Sequence, residues 1–341
     1  MRVLFGLGPW SRAATILCFA LRGAGLLLVV PQSAAGPQRP SGTRFETSLA
    51  PMDMQSPAPS HPITRLVVTC DDGPGIVSAV STFLHAHGAN IVESAQHSSD
   101  PAGGVFFLRM EFSATPEATA DIVATFGPEV AERYAMEWWT WPADRPKRLA
   151  ILVSKVDHCL LDLLWRARRG DLGAECVVVA SNHEVLREAV EPFGVPFVHV
   201  PVLKGGKAQA EEELLTHLVG TCDVVVLARY MQIVSGDFLE RLGVPVINVH
   251  HSLLPAFIGA DPYRQARERG VKLIGATAHY VTEELDAGPI IEQDVIRVSH
   301  GEDVMALRRS GADIERIVLS RAVAWHCADR VLRHGGSTVV F

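Results

Sequence analysis

Apolar runs that alternate with helical patterns are the feature that most constrains how residues 148–341 can fold. Strands that are apolar along their whole length are buried on both faces, and intervening helices allow neighbouring strands to run parallel. The pattern therefore predicts an α/β domain with a mostly parallel, doubly wound sheet. The predicted strands are 149–153, 175–180, 197–200, 223–227 and 244–249, and the predicted helices are 158–169, 184–192 and 208–219.

The last part of this domain has a helical pattern of its own. Apolar residues recur at helical spacing between Asp303 and Leu332. We interpret this segment as a pair of helices that pack on the sheet.

Residues 62–143 predict a second, smaller domain. Short β-branched runs and helical patterns follow one another there in the order strand, helix, strand, strand, helix, strand. This order is the ferredoxin-like α+β arrangement. Asp72 and Gly75 lie in the loop after the first strand, where a helix N-cap and a glycine with positive φ are expected. Residues 144–147 are the predicted linker to the larger domain.

Residues 1–61 differ in composition from the rest of the chain. No acidic residue precedes Glu46, and residues 37–62 are rich in Pro, Ser and Gly, which is typical of disorder. We interpret this part as a disordered or mis-called extension, with the start of the protein at Met52 or Met54. A secretory or organelle signal is the alternative, because arginines flank and interrupt the apolar stretch at 13–30.

Composition argues against some classes of binding partner. The formal charge is −7 and no basic run stands out, which argues against a nucleic-acid binder. The six cysteines are scattered without a Cys-x-x-Cys pair, so no zinc ribbon is indicated, and this usage is typical of a reducing compartment. We therefore expect a cytoplasmic protein with no metal, no nucleic-acid partner and no membrane partner.

Two motifs carry residues suited to catalysis. Asn248 and His250 stand two residues apart at the end of an apolar run, so both side chains can point the same way from the end of a strand. Asp286 lies on a glycine-containing turn further along. An amide, an imidazole and a carboxylate can polarise a carbonyl, move a proton and hold the imidazole in one tautomer. The combination suggests acyl or formyl transfer, although each residue taken alone could be an ordinary turn residue.

The loop after the first strand of the larger domain argues against one large class of α/β enzymes. It reads Ser-Lys-Val-Asp-His-Cys at 154–159, where a Gly-x-Gly-x-x-Gly motif would stand in a dinucleotide-binding fold. Binding of a nicotinamide dinucleotide is therefore unsupported.

Three separated blocks of the larger domain, taken in order, resemble the folate-dependent formyltransferase family. They are residues 248–259, 275–281 and 285–291. The paired His250-His251 and the segments 227–233 and 262–275 look most like the formyltetrahydrofolate deformylases of that family. In those enzymes an ACT domain precedes the catalytic domain, and residues 62–143 resemble an ACT domain through the loop at 72–76 and the segment at 88–91.

The resemblance implies roles for individual residues of the larger domain. The catalytic residues would be Asn248, His250 and Asp286. The residues in contact with the folate substrate would be Arg229, Tyr230, Met231, Ala276 and His279. For His279 the alternative is a hydrogen-bonded histidine in the core. No cofactor is implied, because 10-formyltetrahydrofolate is the substrate.

The ACT resemblance implies regulation. Asp72, Gly75 and Asn90 would contact an amino-acid effector, for which the family suggests glycine or methionine. It also implies a homo-oligomer, either a dimer or a tetramer.

One difference from the ribonucleotide transferases of the family concerns the molecule that accepts the formyl group. Those enzymes place a Gly-Ser-Asn loop that grips phosphate after the first strand, whereas this chain has Asp157 there. Its charge would oppose a phosphate near a helix N-terminus. Water is then the favoured acceptor, and the expected reaction is hydrolysis of 10-formyltetrahydrofolate to formate and tetrahydrofolate, which would supply formate for purine biosynthesis and balance the one-carbon folate pools. The alternatives are a formyltransferase with an amine acceptor and a non-catalytic sensor.

Overall fold

The computed structural model describes residues 61–100, 102–255 and 262–341. The predicted N-terminal extension, with its possible start at Met52 or Met54, lies outside these residues. The described part contains a four-stranded sheet, a seven-stranded sheet and a C-terminal two-stranded ribbon. None of the helices in it combines the length and the apolar character that crossing a bilayer requires.

The four-stranded sheet confirms the ferredoxin-like arrangement predicted for the N-terminal part. Its elements are β1 (Ile63–Asp71), α1 (Ile76–Ala86), β2 (Asn90–Ser98), β3 (Val105–Ser113), α2 (Pro116–Phe126) and β4 (Glu137–Pro142). The strands pair antiparallel in the order β2-β3-β1-β4. Leu66 and Val68 of β1 pack with Val80 of α1 and Ile122 of α2, so both helices cover one face of the sheet.

The segment that joins α2 to the last strand of this sheet is irregular. Residues 127–134 continue from α2 as short π and 3-10 turns, and Ala135 then takes a left-handed conformation with φ 49°. The chain therefore enters β4 only at Glu137.

The seven-stranded sheet confirms the mostly parallel α/β prediction. The strands are β5 (Lys147–Val153), β6 (Ala174–Ser181), β7 (Phe197–His199), β8 (Val224–Leu227), β9 (Val246–His250), β10 (Leu273–Tyr280) and β11 (Ile290–Arg297). They lie in the order β11-β10-β9-β8-β5-β6-β7. The five strands β9, β8, β5, β6 and β7 run parallel, whereas β10 runs antiparallel to both of its neighbours, β9 and β11. The helices are α3 (His158–Arg169), α4 (Arg187–Val190), α5 (Lys207–Leu218), α6 (Gly236–Leu242), α7 (Pro262–Glu268) and α8 (Val304–Cys327).

Both faces of this sheet are buried. Leu149 and Ile151 of β5 belong to the core that includes α3 and α8, whereas Ala150 and Leu152 belong to a second core with α5 and α6. Because side chains alternate between faces, a strand covered on both sides is apolar at every position. This double burial is the reason that the apolar runs identify these strands.

The C-terminal segment corrects the prediction of a helix pair. Val304–Cys327 is one helix, and the Asp303 side chain caps its N-terminus by accepting a hydrogen bond from Ala306 N at 2.7 Å. Gly311 does not interrupt the helix, and a Cβ there would collide with the Tyr263 hydroxyl. The chain ends in a ribbon of β12 (Val331–His334) and β13 (Ser337–Val340).

A buried aspartate lies between the two large sheets. Asp329, just after α8, accepts hydrogen bonds from Lys147 Nζ at 2.8 Å, Arg65 Nη1 at 3.3 Å and Trp139 Nε1 at 3.4 Å. Arg65 and Trp139 belong to the four-stranded sheet, and Lys147 begins the seven-stranded one. Because a buried carboxylate needs partners to offset its lost hydration, these contacts hold the two sheets together.

We expect Asp329→Ala to lower the thermal midpoint of unfolding by several degrees. Removing one partner of a buried ion pair typically costs about 3–5 kcal/mol, because the remaining charges stay buried without compensation. The matched control is Asp313→Ala, which removes an exposed carboxylate paired with Arg316 and is expected to cost about 0–1 kcal/mol. Scanning calorimetry compares the two, and equal midpoints would contradict the assigned role of Asp329.

Candidate active site

Strand pairing brings two of the predicted catalytic residues together with a predicted folate contact. β9 and β10 run antiparallel with Asn248 opposite His279 and His250 opposite Thr277. Residues two apart on a strand face the same side, so Asn248 and His250 share a face. Both line one cavity together with His279.

Asp286 reaches the same cavity from the turn that follows β10. The turn holds Asp286 in the left-handed region with φ 56°. Gly288 allows the turn to fold back against the strand, because a Cβ there would collide with the carbonyl oxygen of Tyr280. The local geometry therefore depends on a glycine two residues after the aspartate.

The four polar side chains form one connected group. Asp286 Oδ2 lies 3.1 Å from His250 Nδ1, and Asp286 Oδ1 lies 3.6 Å from His279 Nε2. Asn248 Nδ2 lies 3.2 Å from His279 Nε2, and His279 Nδ1 lies 2.9 Å from the carbonyl oxygen of Tyr280. The structure thus brings Asn248, His250 and Asp286 together and adds His279 to them.

These contacts assign the imidazole tautomers. Since a carbonyl oxygen only accepts, His279 donates from Nδ1 to Tyr280 and accepts from Asn248 at Nε2. His250 donates from Nδ1 to the Asp286 carboxylate. Its Nε2 is buried and has no hydrogen-bond partner, which leaves a lone pair available in a residue that lines the cavity.

Asp286 remains a carboxylate. The hydrogen bond from His250 holds its pKa well below the ordinary value of an aspartic acid, whereas partial burial opposes that effect. The group is therefore suited to orienting His250 and to stabilising its protonated form.

The cavity has a volume of about 490 Å³ and a largely apolar rim. Arg229, Tyr230 and Met231 line it at the end of β8. Met231, Ile233 and Leu285 are each about 60% exposed, so the rim presents apolar surface to a ligand. A flat ring system with a polar edge suits such a site.

The structure places Ala276, a predicted substrate contact, away from the cavity. Ala276 is fully buried in the core beneath α8 and does not line the cavity. It is separated from His279 by an odd number of positions, and alternate residues of a strand face opposite sides. Sequence proximity to His279 was therefore misleading.

The predicted effector residues do not lie together. Asp72 and Gly75 follow β1 at one end of the four-stranded sheet, whereas Asn90 lies level with Ile63 at the other end, because both stand opposite Ser113 of β3. Gly75 has φ 93° and precedes α1, as predicted for a glycine with positive φ. Asp72 does not cap α1, because its Oδ2 accepts a hydrogen bond from Ser98 Oγ at 2.5 Å instead. Asn90 is exposed and begins β2.

A buried carboxylate that the sequence motifs did not indicate lies beside Arg229, which lines the active-site cavity. Glu315 of α8 is 2% exposed, and it accepts hydrogen bonds from Tyr263 at 2.6 Å and His158 at 2.9 Å. Arg229 Nη1 is 3.6 Å from Glu315 Oε2. The sequence did carry a sign of this burial, because the residues three and four positions from Glu315 along α8 are apolar or glycine.

One cluster in the described ranges has donor atoms close enough for a metal ion. Atoms of His158, Cys159 and Glu315 lie within 4.8 Å of one another. Burial raises the pKa of the Cys159 thiol well above its ordinary value. Glu315 is already engaged by His158 and Tyr263, and the cluster is better described as a hydrogen-bonded network.

Comparison with known proteins places the two parts of the chain. The sequence profile described as formyl transferase matches residues 147–323, and the ACT domain profile matches residues 64–124. The formyltetrahydrofolate deformylase of Mycobacterium tuberculosis is 56% identical over 82% of this chain and 91% of its own length. That of Bacillus subtilis is 53% identical over 81% of this chain and 93% of its own length.

Solved structures give the same result. A formyltetrahydrofolate deformylase from Pseudomonas syringae superposes with a TM-score of 0.79 at 46% identity, covering 85% of this chain and 96% of that one. A glycinamide ribonucleotide transformylase from Symbiobacterium toebii superposes with a TM-score of 0.55 at 30% identity, covering 59% of this chain and 97% of that one. The two-domain likeness is therefore to the deformylases.

We expect His251→Asn to reduce the loss of thermal stability between pH 6.5 and pH 4. Burial, together with the charge of Arg229, lowers the pKa of His251 to about 4. Over this window the unfolded chain binds a proton that the folded protein does not, so acid favours unfolding. His326, whose pKa burial also lowers to about 4, keeps part of the dependence in the variant.

The measurement is the thermal midpoint of both proteins at intervals from pH 7.5 to pH 4. The difference at pH 7.5 reports effects of the substitution other than titration and serves as the internal reference. Parallel curves for the two proteins would contradict the assigned state of His251.

Proposed function

The chain belongs to the formyltetrahydrofolate deformylase family, and we propose that Asn248, His250 and Asp286 carry out the reaction for which that family is named. The enzyme hydrolyses 10-formyltetrahydrofolate to formate and tetrahydrofolate. Water adds to the formyl carbon, the bond from that carbon to N10 breaks, and N10 leaves with a proton. The site must therefore accept a proton from water and stabilise an oxyanion.

The observation that carries the proposal is the arrangement of His250. Asp286 holds its Nδ1–H, while Nε2 keeps an unpartnered lone pair in a residue that lines the cavity. A neutral imidazole presented in this way takes the proton of the attacking water, and the carboxylate stabilises the imidazolium that results. Asp286 is the weaker base because its pKa lies well below the ordinary value. We therefore assign the water proton to His250.

Asn248 is assigned to the formyl oxygen. One of its two amide hydrogens is engaged by His279 Nε2, which leaves the other to donate to the carbonyl oxygen as negative charge develops on it. His279 is a positioning residue in this scheme, since its hydrogen bond to Tyr280 fixes the ring that orients the amide.

The surroundings of α3 support water as the acceptor. Asp157 occupies the N-cap position of α3, but its side chain caps no backbone N–H and is exposed. A phosphate-bearing amine that approached this helix end would meet the aspartate charge. The alternative, transfer to an amine, requires an acceptor without a phosphate at that position.

The N-terminal domain is proposed to regulate the enzyme. We place an amino-acid effector, glycine or methionine, at the loop that carries Asp72 and Gly75, and we expect a homodimer or homotetramer that works in the cytoplasm. The ACT domain match supports a regulatory ligand in this domain.

Purified protein should release formate from 10-formyltetrahydrofolate with no amine added. In Asn248→Ala we expect kcat to fall about 10²–10³-fold with little change in the affinity for the folate, because the lost hydrogen bond strengthens as the oxyanion forms. Stopped-time formate assays and a folate titration separate the two quantities.

Gln209→Ala is the matched control, since it removes an exposed amide from α5. A variant of Asn248 with near-normal turnover would refute its role. Formate release that depends on an added amine would favour the transferase instead.

Addition of glycine or methionine should change the rate of formate release by the wild-type enzyme. Asp72→Ala should reduce the ratio of rates with and without effector, because the carboxylate is part of the proposed site. Glu117→Ala, an exposed acidic residue of α2, is the control. An unchanged ratio in Asp72→Ala would place the effector elsewhere.

A further inference from the structure

Buried nitrogen atoms without partners are concentrated at the active-site cavity. Among the residues that the structure describes, four side-chain nitrogens are buried with no hydrogen-bond partner. One is His250 Nε2, which the reaction uses. Two more are Nε and Nη1 of Arg229, which also lines the cavity. Burying donors unsatisfied costs about 1–3 kcal/mol each, so such atoms call for a functional explanation.

Arg229 also has an unfavourable backbone conformation. It follows β8 with φ 64°, in the left-handed region that side chains other than glycine rarely adopt. The conformation costs about 1–2 kcal/mol. Among non-glycine residues of the described chain with positive φ, Arg229 and Asp286 are the two that line this cavity. Strain of this kind tends to occur at functional sites.

Arg229 supplies a positive charge that nothing else in the cavity supplies. It is the only lysine or arginine that lines the described part of the cavity, and its side chain is only 16% exposed. The charges of the other ionisable lining groups are negative or belong to histidines. An anion that enters this site therefore has one permanent cation to meet.

Glu315 holds Arg229 in place without occupying its hydrogen-bond donors. Burial raises the pKa of Glu315, but the hydrogen bond from His158, the charge of Arg229 and the hydrogen bond from Tyr263 outweigh that effect, so the net pKa is lowered and the group stays ionised. Its contact with Arg229 is 3.6 Å, longer than a hydrogen bond. The guanidinium is thus held in place by charge and keeps donors available.

We propose that Arg229 binds the carboxylate of the product formate and stabilises the negative charge that precedes it. The inference rests on the proposed function, because hydrolysis converts a neutral formyl group first into an oxyanion and then into formate. Water contributes the second oxygen, the carbon–nitrogen bond breaks, and the charge that was absent from the substrate remains on formate. A fixed cation favours the later states over the substrate.

The same carboxylate chemistry has a second source, the glutamate tail of the folate. The Arg229 side chain is only 16% exposed, whereas Met231 and Ile233 on the rim of the cavity are about 60% exposed. Formate is the carboxylate formed inside the cavity, and we assign Arg229 to it.

The test is direct binding of formate to wild-type protein and to Arg229→Gln and Arg229→Lys. Titration with 13C-labelled formate, followed by NMR, needs no turnover and so gives a result whether or not the protein hydrolyses folate. We expect Arg229→Gln to weaken formate binding about 10- to 100-fold, as loss of a charge-assisted hydrogen bond does. Arg229→Lys should restore part of it, because it keeps the charge and loses the planar geometry.

Arg241→Gln on the surface of α6 is the matched control and should bind formate as the wild type does. Circular dichroism confirms that each variant is folded. In steady-state assays Arg229→Gln should lower kcat more than it raises KM, and it should lose inhibition by added formate.

Two outcomes would overturn the assignment. One is formate binding by folded Arg229→Gln equal to that of the wild type. The other is a variant whose affinity for 10-formyltetrahydrofolate falls while its affinity for an analogue without the glutamate tail does not, with formate binding intact. That result would assign Arg229 to the tail. A wild type that binds formate but releases none from the folate would instead contradict the proposed function and leave the anion site in place.

Discussion

The antiparallel pairing of β10 with β9 is the constraint on which the active site depends. It sets Asn248 directly opposite His279. The turn after Tyr280, which folds back against the strand at Gly288, then brings Asp286 Oδ2 to 3.1 Å from His250 Nδ1. The rest of the site follows from that contact, because it selects the tautomer that leaves His250 Nε2 free.

Much of the fold could be predicted because it depends on regular patterns. The strands of the parallel sheet are buried on both faces, and α3 was predicted at its observed bounds from helical spacing. The C-terminal helix pair was predicted where one continuous helix stands, and Gly311 lies where α8 packs closely against Tyr263. Ala276 was predicted to contact substrate together with His279, but side chains alternate along β10 and Ala276 lies on the buried face.

The candidate site was predictable where chemistry sits in a motif and unpredictable where it depends on burial. Asn248, His250 and Asp286 could be named because an amide, an imidazole and an acid in ordered blocks imply a reaction. Glu315 could not, because a glutamate in a helix is usually a solvated residue. Its burial becomes visible only when α8 packs on the sheet and brings Tyr263 and His158 within hydrogen-bond distance. A sequence pattern shows which face of a single helix or strand is apolar, whereas this network joins side chains from three different helices, α3, α7 and α8.

The energetic character of the cavity separates it from the cores around it. The clusters on the two faces of the sheet bury apolar side chains, and their residues have ordinary backbone conformations. The cavity instead holds two residues with positive φ and donors without partners. The unpartnered nitrogens of Arg229 and His250 would gain partners if the site held an anion beside Arg229 and a proton on His250. A site whose unsatisfied groups are paired at the late stages of a reaction is complementary to those stages, and that complementarity is how an enzyme accelerates the step.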